Sequence, residues 1–281
     1  MNRLRGFTLV EMIMVIVITG IIAGMVAVFI AKPVTGYVDS VRRAGMTDVA
    51  DLALKRMAME IRTAVPNSVR VNTTGKFLEF IPARTGGRYC TDSDACPSGT
   101  SGALSFTDAN DYFDVLGPAH DVIDSDFLVI YNTGQSGLNA YVGDNLRDVD
   151  THTATGITLL GVNFPYASPS NRFQAVPSTG PVTFACENVA GTTTGTGSLR
   201  RYTGYNTGYN TGGTSPSPKF STTQPISGLG TGALIADNLS ACTFTYDTVS
   251  AATGLVSLSL TLTREGESIT LFSQIHVDNM P

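Results

Sequence analysis

Residues 12–31 form twenty consecutive positions without a charge, with Thr19 the one polar side chain among them. After them apolar residues fall to a helical spacing, and beyond Pro66 to an alternating one. At about 1.5 Å per residue the first run makes a helix of roughly 30 Å, the thickness of one hydrocarbon core. It follows a short basic leader that contains Arg3 and Arg5. An ordinary secretory signal carries its small cleavage residue after the apolar segment, whereas here Gly6 stands before it. Processing at Gly6 would therefore leave the helix on the mature chain. Glu11 sits at the mouth of this run, and an unpaired carboxylate costs on the order of 2.5 to 3.5 kcal/mol at mid-bilayer, less near the interface. It calls for a partner.

Past the apolar run, Val38, Val41, Val49, Leu52, Met57, Ile61 and Val65 recur at mostly helical spacing with charged residues between them, which predicts an amphipathic helix over 32–65. Pro33 and Gly36 predict a kink or a melted turn near its start, and Pro66 predicts its end. Alternation then predicts strands at 76–81, 127–131, 138–142, 157–164, 182–186, 242–246, 255–263 and 268–277. The last two read as a hairpin, because Val256, Leu258, Leu260 and Leu262 alternate with serine and threonine before a turn at 264–267. Ten of the 29 glycines fall within 191–232, which also repeats TGYN at 203–206 and 207–210. That composition predicts an exposed flexible loop.

The balance of 18 basic against 23 acidic residues gives a net charge of −5, and loss of the leader with its two arginines makes it more negative. A nucleic-acid partner, which requires a basic surface, is disfavoured. Charge does not orient the membrane segment by itself, since Arg3 and Arg5 on one side face Lys32, Arg42 and Arg43 on the other. Four cysteines point to an oxidising compartment and allow three pairings; local closure favours Cys90 with Cys96 and Cys186 with Cys242. Neither the cysteines nor His120, His152 and His276 have zinc-ligand spacing. Two acidic clusters, Asp121, Asp124, Asp126 and Asp144, Asp148, Asp150, read as solvated loops, with a calcium site as the alternative. No nucleophile elbow, phosphate loop or dinucleotide fingerprint is present, so no enzymatic activity and no cofactor is expected.

The order of leader, Gly6, Phe7, Thr-Leu-Val-Glu11 and apolar run resembles the class III signal of type IV prepilins and type II secretion pseudopilins. The resemblance implies cleavage after Gly6, N-methylation of Phe7 by the same prepilin peptidase, and pairing of Glu11 with the terminal amine of a neighbouring subunit. The segment LALKRMAMEIRTAVPNSVRV at 52–71, RY at 88–89, FLVIYNTG at 127–134, and the C-terminal ALIADNLSACTFTYD and GLVSLSLTLTREGE are similar to the large minor pilins of the W and J types. Many major pilins carry a proline inside the membrane helix; here the neighbourhood of Val28 is apolar and the proline comes at Pro33. The implied fold is α+β: a leader at 1–6, a transmembrane and filament-core helix at 7–31, an amphipathic helix at 32–65, and a periplasmic β-rich head at 66–281, the helix packed on an antiparallel sheet. The implied role is a structural subunit, held in the bacterial inner membrane before assembly and then on the pilus at the cell surface. Its implied partners are the membrane, other minor and major pilins, prepilin peptidase and the inner-membrane assembly platform. A J-type pseudopilin and a signal-anchored adhesin are the alternatives.

Overall fold

The computed structural model describes residues 7–107, 111–161, 163–191, 194–205, 220–224, 228–250 and 252–281. The leader with Gly6, the second TGYN copy and much of the glycine-rich segment lie outside them. Among the described residues one long helix, α1 (Leu9–Ile61), precedes thirteen strands, and the chain divides into two compact units after Asp48. The architecture is α+β, a long apolar helix with antiparallel β-sheets.

Within the unit Val49–Pro281, the end of α1 buries Ala50, Ala53, Leu54, Met57 and Ile61, spaced three or four apart as one helical face requires. A seven-stranded sheet runs in the order β1 (Arg70–Val71), β2 (Phe77–Phe80), β9 (Val182–Glu187), β10 (Gly197–Tyr202), β11 (Ala233–Ser250), β12 (Thr253–Arg264), β13 (Glu267–Asp278), all antiparallel. Leu258 and Leu260 are fully buried while Ser257 and Ser259 between them are not, so a period of two sets the buried face. Glu265 and Gly266, with φ of 49° and 85°, form the two-residue turn into β13.

The second body of the head is a closed six-stranded barrel inserted between β2 and β9. It comprises β3 (Thr85–Tyr89), β4 (Tyr112–Leu116), β5 (Phe127–Val129), β6 (Leu146–His152), β7 (Gly156–Leu160) and β8 (Arg172–Val176). Tyr89, Phe113, Leu128, Val149, Phe164 and Phe173 fill it. Gly87 pairs with Phe173, and a Cβ there would stand 2.7 Å from the Phe173 ring, so the barrel wall closes only with glycine at that point.

Several sequence expectations are corrected. α1 is helical through Pro33 and Gly36, so no melted turn interrupts it there, and it ends at Ile61, before Pro66. Val49 and Leu52, assigned above to the packed stripe, are 39% and 69% exposed; the smaller Ala50 and Ala53 face the core instead. Residues 138–142 form no strand: Leu138 makes an isolated bridge with Gln135, and 140–142 are turn, where Asn139 caps the amide of Tyr141 and Gly143 at φ 88° reverses the chain. The loop expected over 191–232 contains β10, an interior strand between β9 and β11, and it buries Tyr202, Tyr205, Phe220 and Leu229. Strand pairing and aromatic burial outweigh the glycine content there.

Candidate functional site

The first turn of α1 is closed by two residues of the motif. Thr8 stands just before the helix, its Oγ1 accepts the amide of Glu11 at 3.3 Å, and the Glu11 carboxylate accepts the amide and hydroxyl of Thr8, each at 3.1 Å. This is a capping box: a threonine and a glutamate three residues later satisfy each other's otherwise unbonded helix-end donors. The Thr8–Glu11 spacing is thus a helix-start signal.

Every side chain from 7 to 30 is exposed in the isolated chain, with Phe7 at 82% and Phe29 at 82%. Thr19, the one polar group in the run, donates its hydroxyl back to the carbonyl of Val15 at 2.5 Å and so presents no free donor to its surroundings. This part of α1 is long and apolar enough to cross a membrane. Glu11 is the one acidic group in that helix's first turn, and its bond to Thr8 leaves the carboxylate charge without a cation among the described residues.

In the head the cysteines form Cys90–Cys96 and Cys186–Cys242, with Cα atoms 5.8 and 6.4 Å apart. The first closes a loop whose next residue group is anchored by the buried Asp114, which accepts the amide and hydroxyl of Ser98 at 2.7 and 2.9 Å and the hydroxyl of Tyr112 at 2.7 Å. The second ties β9 to β11 where β10 begins.

The acidic clusters do not converge. Asp126 is buried, accepts the amide of Ile123 and pairs with Arg84 at 3.3 Å, and burial raises its carboxyl above the ordinary range. Asp124 instead binds the imidazole of His152 at 2.6 Å, and Asp144 accepts the amide of Gly137. Among the described residues no group of three His, Cys, Asp or Glu side chains is arranged to hold a metal ion.

Sequence reasoning missed a buried polar network that fixes β1 and β2. Glu79 is 1% exposed; Arg70 meets it at 2.6 Å and also donates to the carbonyls of Ser221 and Thr222 at 2.9 Å, while Tyr205 donates to it at 3.0 Å. The Arg70 guanidinium stacks over Tyr141, 3.7 Å from the ring centre. Burial pushes the Glu79 carboxyl up even against the attraction of Arg70. The signal for this network was the pairing of an arginine and a glutamate nine residues apart, but only strand register makes them neighbours.

Residues 1–27 match the family model of the prokaryotic N-terminal methylation motif. No curated protein and no solved structure matches the chain. The match covers the part of the chain that holds Gly6, Phe7, Thr8 and Glu11, so the N-terminus is pilin-like, and membrane anchoring by α1 fits that motif.

Proposed function

We propose that this chain is a minor pilin, a low-copy structural subunit that primes or caps a type IV pilus of the mannose-sensitive haemagglutinin (MSHA) kind, with the sequence resemblance pointing to that pilus's biogenesis protein O. The observation that carries the reading is the capped Thr8–Glu11 turn at the mouth of a fully exposed apolar helix within the methylation motif. A helix of this kind is soluble only in a bilayer or a bundle, and a carboxylate at its end becomes tolerable when a neighbour's N-terminal amine meets it. The half-exposed to exposed apolar side chains Val49, Leu52 and Met59 add a contact face beyond the membrane segment. Size supports the minor role: a sheet with an inserted barrel is bulky for a subunit repeated thousands of times.

In this reading prepilin peptidase cuts after Gly6 and methylates Phe7, and the head lies in the periplasm until the assembly platform draws the subunit into the filament. No residue of the head is assigned a catalytic role. Intact-mass measurement of the protein from its own cells tests the processing step. The expected mass is that of residues 7–281 with one added methyl group and two disulfides. Gly6→Val should leave the full-length precursor in the membrane; a normally processed Gly6→Val protein would overturn the reading. A J-type pseudopilin shares all these features, and deletion separates the two: loss of pili with intact secretion supports the pilus assignment, and the reverse supports the pseudopilin.

A further inference from the structure

The seven-stranded sheet has two ends that differ in kind. β1 is two residues long, and the Arg70 side chain in it is occupied by the carbonyls of Ser221 and Thr222. β13 is twelve residues long, and among the described residues it pairs with β12 alone. The barrel is closed and adds no edge.

The hairpin register identifies the free backbone groups. A two-residue turn at Glu265 and Gly266 makes Arg264 and Glu267 a hydrogen-bonded pair, and bonded and non-bonded pairs then alternate. Ile269, Leu271 and Ser273 therefore direct their N–H and C=O groups at β12, whereas Ser268, Thr270, Phe272, Gln274 and His276 direct theirs away from it. The hydroxyl contacts Thr263–Ser268 at 2.8 Å and Thr261–Thr270 at 2.9 Å fall on the non-bonded pairs, where side chains approach most closely.

Natural sheets blunt an exposed edge with lysine, proline, a bulge or an inward charge. β13 has none of these: residues 268–275 are SITLFSQI, its pairing with β12 is regular throughout, and its two acidic residues lie at its ends. Phe272, 61% exposed, stands in the middle, and its cross-strand neighbours on that face, Ser259 and then Thr243, are uncharged. An edge this long and this plain is either an aggregation hazard or a docking site.

We propose that the outer edge of β13 over residues 268–276 receives an extended, uncharged strand from the head of a different subunit of the same filament. This rests on the reading of the chain as a filament subunit. Outward N–H and C=O groups recur every second residue along the edge, and only another extended backbone matches that spacing. A charged strand would bring an unpaired charge against Phe272 and the hydroxyl rows. A second copy of β13 would pair about a two-fold axis, which closes the assembly at two, while a growing filament requires a heterologous contact.

Site-specific photocrosslinking in the native cells, with benzoylphenylalanine in the full chain, tests this. Thr270 probes the edge, Thr243 lies on the same sheet face two strands inward, and Val15 probes the membrane helix. Adducts from position 270 but not 243, mapping to a head strand of another chain with the N-terminal methylation motif, are expected. Thr270→Pro removes an outward donor and one exposed hydroxyl contact, that with Thr261, so it should lower the adduct yield from a probe at Gln274 about tenfold while the thermal midpoint falls only slightly. If the proline variant misfolds, Thr270→Lys makes the same test with an edge charge. Adducts from 270 to a second copy of this chain, to a protein without the motif, or to nothing while position 15 crosslinks normally would each overturn the proposal. Failure of position 15 to reach any motif-bearing subunit would sink the filament reading itself, and the edge proposal with it.

Discussion

Thr8 and Glu11 hold each other across the first turn of α1, the threonine hydroxyl accepting the glutamate amide while the glutamate carboxylate accepts both donors of the threonine. The same glutamate is therefore a helix cap within the chain and a carboxylate with no cation beside it among the described residues, and these two features can be separated. Loss of a cap costs about 1 kcal/mol, too little to unfold an apolar helix already in lipid. Thr8→Ala removes the hydroxyl and leaves the charge; Glu11→Ala removes the charge. If Glu11 compensates a neighbour's terminal amine, Glu11→Ala should be inserted and processed normally yet reduce the number of pili far more than Thr8→Ala does. Filament counts by electron microscopy decide this. Equal counts for the two variants would assign Glu11 to capping alone, and normal numbers of shortened pili would argue for elongation instead of priming.

Opening the disulfides should not be equally harmful. In the loop-entropy picture the short Cys90–Cys96 ring contributes about 2 kcal/mol and the Cys186–Cys242 ring, with a separation of 56, about 4 kcal/mol. Paired serine substitutions compared by denaturant midpoint should show the larger loss at Cys186 and Cys242.

Removing residues 192–214 is expected to unfold the head. The cut takes out β10, which pairs with both β9 and β11, along with Tyr202 and Tyr205, which pack in the core. A shortened chain with wild-type circular dichroism and thermal midpoint would show that β9 and β11 can pair directly.

The two faces of β12 should respond oppositely to the same charge. Leu258 is fully exposed to the core and closed to water, so Leu258→Asp buries an unpaired carboxylate and should cost more than about 4 kcal/mol. Ser259→Asp, one residue on, places it on the solvent face and should shift the thermal midpoint only slightly.

Alkaline pH should loosen the head through its buried phenols. Tyr202 is pushed up from 10.0 to about 12, first by burial and then by its bond to the Glu187 carboxylate. Tyr205 and Tyr141 are raised further, chiefly by burial. A folded-state pKa above the unfolded one means that the contribution is intact below pH 10 and is lost as pH rises from there toward the folded value. Tyrosinate absorbance should therefore rise together with the loss of β-sheet circular dichroism. Ionisation in an otherwise native head would contradict the burial of these rings.

What the sequence determines by itself is local. The apolar run, the Thr8–Glu11 spacing and the Val256–Leu262 alternation each act within one element, where helical or strand period alone sets which side chains share a face. The long apolar helix, the capped turn and the β12–β13 hairpin are legible for that reason. The barrel is not, because β3 with its two glycines and β6 with its arginine and aspartates have weak strand character until closure supplies partners on both sides. The same holds for β10, whose arginines Arg200 and Arg201 look unsuited to an interior strand until Arg201 meets Glu60 at 2.6 Å and Arg200 meets Glu187 at 3.6 Å. Tertiary structure decided those elements, and with them the free edge of β13, because a strand becomes an edge only when the order of all the others is known.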